Sequence, residues 1–348
     1  MARSSLRLAN NVPGPFYVDS SCIDCGTCWQ WDPDHFAPNG AQARVACQPE
    51  GEAQERRALL AQQACPVAAI GSPAPLSRRH AAALAQGGFP ALLCRLPAGE
   101  VHYCGWASRR SFGASSYLVV RPAGRGGHVL IDSPRFNTLL ARRIEAIGGL
   151  AAIVLTHRDD VADQALWARH FGCERWIHAG DADAVPGAEN RLEGDDPVAL
   201  GGALTLVPTP GHTAGSLVAV LGEPAGTGTV GSGAPLVGRD GEPSGDGAFI
   251  HGGEGSAAKA GSQESEVAAG QVLFSGDHLW WSEEQRAVVA SRTYCWWDFE
   301  AQLRSVAKLR DLDVRWLLPG HGGRRAFAAG EWRRCLAATL AFWGVDPA

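Results

Sequence analysis

Three cysteines stand at two-residue gaps in Cys22-Ile23-Asp24-Cys25-Gly26-Thr27-Cys28, and a fourth follows in Cys65-Pro66. Thiolates spaced in this way wrap one face of an iron–sulfur cube, and a remote Cys-Pro closes it. Zinc is the alternative, but zinc sites more often use pairs of Cys or His at separated knuckles, so the third close cysteine favours the cluster. A second group of ligand-type side chains follows apolar runs: Thr156-His157-Arg158-Asp159-Asp160, Pro210-Gly211-His212-Thr213, Ser275-Gly276-Asp277-His278 and Pro319-Gly320-His321-Gly322. A lone histidine after a strand is usually an ordinary side chain. Four such groups in glycine-rich turns are hard to obtain by chance, and imidazole with carboxylate is a donor set for divalent metals.

The elements that must position these groups are legible as short apolar runs alternating with helical patterns. SSYLVV, HVLID, AAIVLTH, LTLVPTPGH, SLVAVL, QVLFSGD and VRWLLPGH read as strands, several ending on His or Asp, which gathers reactive groups along one sheet edge. Helices are expected from Phe136 to Gly148, with Leu139, Leu140, Ile144 and Ile147 at helical spacing, and from Asp298, an N-cap for a face of Leu303, Val306 and Leu309. A third runs from Glu331 to Trp343, with Trp332, Leu336, Leu340 and Trp343 inward. Strands with intervening helices imply a layered α/β architecture. Gly71-Ser72-Pro73-Ala74-Pro75 is a turn-rich breaker. The expected organisation is a cysteine domain over 12–72, a linker over 73–99 and a larger domain over 100–348. Within the last, 222–270 is a flexible Gly/Ser-rich insertion whose His251 is no ligand.

The chain has 348 residues, 45% hydrophobic and 19% charged, with formal net charge -5. It is long enough for two domains, too apolar for a disordered polymer, and has no run of eighteen apolar residues. With no basic stripe, neither nucleic acid nor a membrane is expected as partner; small molecules or proteins are, and an iron–sulfur cluster would add an electron-donor protein to a small-molecule substrate. Half of the ten cysteines fall between Cys22 and Cys65, which suits a metal site in a reducing compartment better than a disulfide scaffold. The segment MARSSLRLANNVPGPFYVD has no apolar core and is not read as a secretory signal.

Residues 16–71 resemble a single-cluster bacterial-type ferredoxin, which implies one 4Fe-4S cluster held by Cys22, Cys25, Cys28 and Cys65. Cys47 is the competing fourth ligand; Cys65 is preferred because Pro66 and the following VAAI match the ferredoxin pattern, leaving Cys47 as a small, partly buried residue. Residues 100–345 resemble the metallo-β-lactamase fold, implying a four-layer αβ/βα sandwich behind a small α+β ferredoxin-like domain. The first motif of that fold is normally H-x-H-x-D-H. By resemblance His157, His212, Asp277 and His321 match its metal ligands, and Asp132 in LIDSPR braces the site from behind. Asp159 stands where the second histidine should be, two residues are inserted before Asp163, and Gln164 takes the place of the last histidine.

The implied ligand sets are His157, Asp159 and His212 for one metal and Asp163 and His321 for the other, with Asp277 shared; Asp277 and Asp163 are the catalytic carboxylates. Asp160 is the alternative donor, disfavoured because a side chain one position along a turn often points elsewhere. Carboxylate in place of imidazole hardens the site, moving preference from zinc towards iron or manganese, and Gln164 would hold the second metal loosely. Trp280, Trp281, Trp296 and Trp297 are read as pocket lining or, for at least half of them, core.

The first functional expectation is that the ferredoxin domain passes electrons to a non-haem metal site, as the carboxylate at Asp159 resembles flavodiiron proteins. The alternatives are a metal-dependent hydrolase with the cluster as regulator or docking element, and a degenerate scaffold or redox sensor. The whole pattern, including DSPRF and YCWW, is similar to the ferredoxin-fused branch of cyanobacteria and plastids, implying plastid stroma after processing, or bacterial cytoplasm.

Overall fold

The computed structural model describes residues 2–72, 84, 87–223, 265–266 and 270–345. Its N-terminal region holds strands β1 (Tyr17–Val18), β2 (Phe36–Asn39), β3 (Gln42–Val45) and β4 (Ile70–Gly71), with helices α1 (Thr27–Trp31) and α2 (Gly51–Ala64). Antiparallel pairing of β1 with β4 laces the two ends of the region together, which brings Cys65, at the end of α2, back to the cysteine loop. Helix α1 begins inside that loop, so Cys28 sits on its first turn.

One large sheet contains β5 (Ala91–Leu96), β6 (Gly99–Tyr103), β7 (Tyr117–Val120), β8 (Val129–Ile131), β9 (Ala152–Val154), β10 (Glu174–His178) and β11 (Asn190–Leu192), in the order 11-10-9-8-7-6-5. The second has β12 (Val198–Ala199), β13 (Leu204–Pro208) and β14 (Leu217–Leu221), and beyond these β16, β19 and β20. Between them in sequence lie β15 (Ser265–Glu266), alongside β5, and then β16 (Gln271–Gly276), the hairpin β17 (Trp280–Ser282) and β18 (Ala287–Val289), β19 (Val314–Pro319) and β20 (Arg325–Ala326). Helices α3 (Thr138–Ile147) and α4 (Gln164–Phe171) cover the first sheet; α5 (Phe299–Lys308) and α6 (Glu331–Phe342) cover the second.

The period-two alternation of strands builds the layers. Leu217, Ala219 and Leu221 of β14, Phe274 of β16 and Leu318 of β19 join the core against the first sheet. Val218, Val220, Leu273 and Leu317 face Leu303 and Val306 of α5 and Trp332, Leu336 and Leu340 of α6. Each fully buried side chain of this size contributes roughly 1.5–3 kcal/mol relative to exposure. The result is a four-layer αβ/βα sandwich behind a small α+β region. Both expected cap signals operate: Asp298 Oδ1 accepts from Ala301 N at 3.0 Å, and α3 stops at Gly148 with φ 131°.

Three sequence expectations need correction. The stretch 73–99 is not all linker, because Phe89 is fully buried and Ala91–Leu96 pairs with β6. Leu139 is exposed, since α3 turns Leu140, Ala141 and Ile144 inward. Of the four tryptophans, Trp281 is core while Trp296 and Trp297 are exposed. Most of the expected insertion, with His251, lies outside the described residues. The two regions share one apolar core: Trp31 of α1 stands 4.9 Å from Phe89 and 5.8 Å from Tyr103, ring centre to ring centre.

Candidate metal centres

Cys22, Cys25, Cys28 and Cys65 line one cavity, walled by Val18, Ala43, Val67, Ala69 and Ile70. The loop wraps because Gly26 takes φ 80°, a conformation that costs glycine little. Burial pushes the Cys25 thiol up to about 11 and the Cys28 thiol well above its ordinary value, and the neighbouring sulfurs push the same way. Four thiolates here therefore need a cationic core between them, which is what an iron–sulfur cluster is. Main-chain amides already point at the sulfurs, Ala43 N to Cys22 Sγ and Ala69 N to Cys65 Sγ, each at 3.3 Å. The cradle fits a four-cysteine cluster. Cys47 is exposed, not partly buried as expected, and does not line the cavity.

The second centre lies where β9, β13, β16 and β19 end. His157 Nε2 stands 3.7 Å from Asp277 Oδ2 and 3.9 Å from Asp159 Oδ2; His212 Nε2 stands 3.7 Å from Asp159 Oδ2 and 4.0 Å from Asp277 Oδ2. These gaps are too long for hydrogen bonds, whereas donors about 2.1 Å from one ion stand roughly 3.5 Å apart. The Nε2 atoms of His157, His212 and His321 and both Asp160 oxygens are buried without a hydrogen-bond partner. Two donor groups emerge, His157, Asp159 and His212, and His157, Asp160 and Asp277, each with its ligand atoms within 4.8 Å of one another. The orphaned atoms of His157, His212 and Asp160, converging with Asp159 and Asp277 in this way, fit a divalent metal.

Buried hydrogen bonds aim these donors. His212 Nδ1 faces the Tyr294 carbonyl at 2.7 Å and donates to it, which leaves Nε2 with its lone pair free. His157 Nδ1 lies 3.0 Å from Thr156 Oγ1, whose hydroxyl donates in turn to Asp132 at 3.0 Å. Asp132 thus stands behind the site, where sequence reasoning put it. Asp181, fully buried, accepts from Arg158 N, Thr213 Oγ1 and Gly215 N, tying the His157 turn to the His212 turn.

Electrostatics follow from burial and crowding. Burial, then the charge of Asp277, pushes the Asp160 carboxyl well above its ordinary value. Burial alone would lift Asp277 too, but His321, with His157 and His212 behind it, holds it well below. Burial would lower His321; its contact with Asp277, Nδ1 to Oδ1 at 2.8 Å, instead lifts it to about 10. Burial drives His157 down to about 4, so it is the neutral donor a metal requires.

The structure therefore gathers His157, Asp159, His212 and Asp277, and sets His321 against Asp277. It leaves Asp163 out. Asp163 precedes α4, where Oδ2 accepts from Phe136 N at 2.9 Å and Oδ1 from Arg110 Nη1 at 3.1 Å. Asp160 occupies the place expected for it. Gln164 is also turned away, accepting from Arg175 Nη1 at 3.0 Å. Sequence reasoning missed Asp181, for which no local pattern speaks, and underrated Asp160, whose signal was adjacency to Asp159 in a turn after a strand.

Residues 18–72 match the family model described as the 4Fe-4S single cluster domain of Ferredoxin I. Over 104 residues the chain is 36% identical to a hydroxyacylglutathione hydrolase of Hyphomonas neptunium; that match covers 29% of this chain and 40% of that protein, so the chain spans about two fifths of that relative's length. Among solved structures, MIM-2 metallo-β-lactamase superposes with TM-score 0.42 at 15% identity, over 71% of this chain and 86% of that one. BJP-1, a subclass B3 metallo-β-lactamase of Bradyrhizobium japonicum, does so with TM-score 0.40 at 14% identity, over 71% and 90%. With the cysteine cradle, the two facing sheets and the histidines and aspartates at their strand ends, the chain carries a single-cluster ferredoxin-type domain joined to a two-sheet sandwich similar to the metallo-β-lactamase fold.

Proposed function

We propose that the ferredoxin-type domain passes electrons to a non-haem metal site, preferably iron, in the sandwich. The observation that carries this reading is the donor set: Asp159, Asp160 and Asp277 outnumber His157 and His212 among the grouped ligand atoms. Such a site is harder and more anionic than an imidazole-rich one, which favours iron or manganese over zinc. When bound, the cluster supplies one electron at a time and the sandwich metal a redox-active or Lewis-acidic centre. The protein's part is positional: Tyr294 and Thr156 orient the two imidazoles, His157 is common to both donor groups, and Asp160 stands beside Asp277 in place of Asp163. Trp296, 6.2 Å from the His212 ring, and exposed Phe112, 6.3 Å from His321, offer apolar walls to a small-molecule substrate. By resemblance the protein works in plastid stroma or bacterial cytoplasm, with an electron-donor protein as partner.

Anaerobic purification, metal analysis and EPR before and after dithionite test this. Iron in the sandwich that is reduced when the cluster is reduced supports it; zinc alone, indifferent to the cluster, overturns it. The second reading is hydrolysis, favoured by the match to a hydroxyacylglutathione hydrolase and by His157, His212 and Asp277, which would polarise a water or carbonyl through the metal unchanged. Thioester hydrolysis by the oxidised protein, undiminished when the cluster is reduced, would establish that reading instead.

A further inference from the structure

The loop 109–115 touches both metal-binding regions. On the cluster side, a Cβ at Gly113 would lie 2.5 Å from Cys25 Cβ and 2.8 Å from Cys25 Sγ, and its φ is +92°. Only glycine permits that approach. Thr27 Oγ1 sits 3.3 Å from Cys25 Sγ and donates to the Gly113 carbonyl at 3.1 Å. Two residues on, Ser115 N donates to the Gly320 carbonyl at 2.7 Å, one residue before His321. Gly320 in turn lies against the metal-site carboxylates: a Cβ there would meet Asp160 Oδ2 at 2.6 Å and Asp277 Oδ1 at 2.7 Å.

Phe112 adds a second contact. It is 56% exposed and holds φ +47°, a strained conformation for a bulky side chain. Its ring contributes little to the core, yet it stands 6.3 Å from the His321 imidazole. Strain of this kind persists where the surroundings enforce it and a function uses it.

We infer that the chain Cys25–Thr27–Gly113–Ser115–Gly320–His321, flanked by the Phe112 ring, is the internal route for electrons between the cluster and the histidine–aspartate centre. The inference rests on the redox reading above. Electron tunnelling decays less steeply along covalent and hydrogen bonds than across van der Waals gaps, and this connection has one sulfur–hydroxyl contact and two short hydrogen bonds between covalent segments. The route carries one electron, lost by the reduced cluster and gained by a ferric ion in the sandwich, with no bond made or broken; an external one-electron donor reloads the cluster. Thr27 and Phe112 are positioning residues.

The test uses the full chain, purified anaerobically with its metals. The cluster is reduced by a photochemical one-electron donor, and its reoxidation is followed by rapid absorbance with freeze-quench EPR of the sandwich iron. Thr27→Val should keep iron, sulfide and the cluster's midpoint potential but slow internal transfer at least tenfold, and Thr27→Ser, which restores the hydroxyl, should return the rate. If Thr27→Val fails to hold its cluster, Phe112→Ala carries the test and should slow transfer severalfold. Wild-type rates in cluster-containing Thr27→Val, or in Phe112→Ala where the first variant loses its cluster, overturn the route while leaving the redox reading intact. A wild-type protein whose reduced cluster never reduces the sandwich metal overturns the redox reading itself, and the route with it.

Discussion

Around the cysteines the supports are few: two amides at 3.3 Å, a glycine turn, an apolar wall and the Gly113 backbone against Cys25. Around the histidine–aspartate centre, Asp132, Thr156, Asp181 and the Tyr294 carbonyl form buried bonds joining residues far apart in sequence. The cradle thus depends on its cluster for cohesion, because four crowded sulfurs have little else to hold them together. The second centre has hydrogen bonds of its own that fix its donors. Yet both regions border one continuous apolar core, so a loss of order at the cradle should be felt in the sandwich.

The sharpest way to break this contrast is to remove a cluster ligand. Cys65→Ser should abolish the cluster's absorbance and destabilise the whole chain, in a single thermal transition, by at least about 4 kcal/mol, or roughly 5 °C. Calorimetry showing two transitions, with the sandwich unfolding at its wild-type temperature, would mean that the shared core does not couple the regions. Next in size is Asp181→Ala, which strands the Thr213 hydroxyl and the Arg158 and Gly215 amides. We expect about 3 kcal/mol of destabilisation in denaturant titrations and loss of sandwich metal, with the cluster content unchanged. Full metal retention would show that the two histidine turns hold their positions without the tether.

A subtler pair separates Asp160 from the position where sequence reasoning looked for a ligand. Asp160→Asn should weaken the second metal about 10- to 100-fold in competition with a chelator. Gln164→His should leave stoichiometry unchanged, because that side chain is engaged by Arg175 rather than the centre. A gain of metal in Gln164→His would restore the position to the ligand set.

How far the sequence carries the reader depends on whether a feature is local. Local pattern placed Cys22, Cys25 and Cys28, the caps at Asp298 and Gly148, and the strand ends bearing His157, His212, Asp277 and His321, while Cys65 was chosen over Cys47 by resemblance. It failed where direction within a turn decides the outcome. Resemblance, with two residues inserted, favours Asp163, but Asp160 enters the centre, and beyond it the chain turns through Ala162 at φ 30° to put Asp163 at the front of α4. Contacts made across the fold left no local trace either: Asp181 serves turns more than twenty residues away on each side, and the Gly113 approach to Cys25 crosses between regions. β5 was hidden because its short apolar run, Ala91–Leu96, stands between Pro90 and Pro97 and reads as linker.

The smallest expected effect belongs to Asp163→Asn, and it tests the boundary of the centre directly. Asparagine keeps an acceptor for Phe136 N but loses the charge that faces Arg110 and the N-terminus of α4. The Arg110 side chain is 73% exposed, and a surface pair of that kind contributes at most about 1 kcal/mol. Favourable placement of a carboxylate at a helix N-terminus adds a similar amount. Stability should therefore fall by about 1 kcal/mol, with metal content and affinity in the sandwich as in the wild type. Loss of one metal equivalent would instead mean that the turn rearranges on binding and draws Asp163 into the centre, making the second site less preorganised than its hydrogen bonds imply.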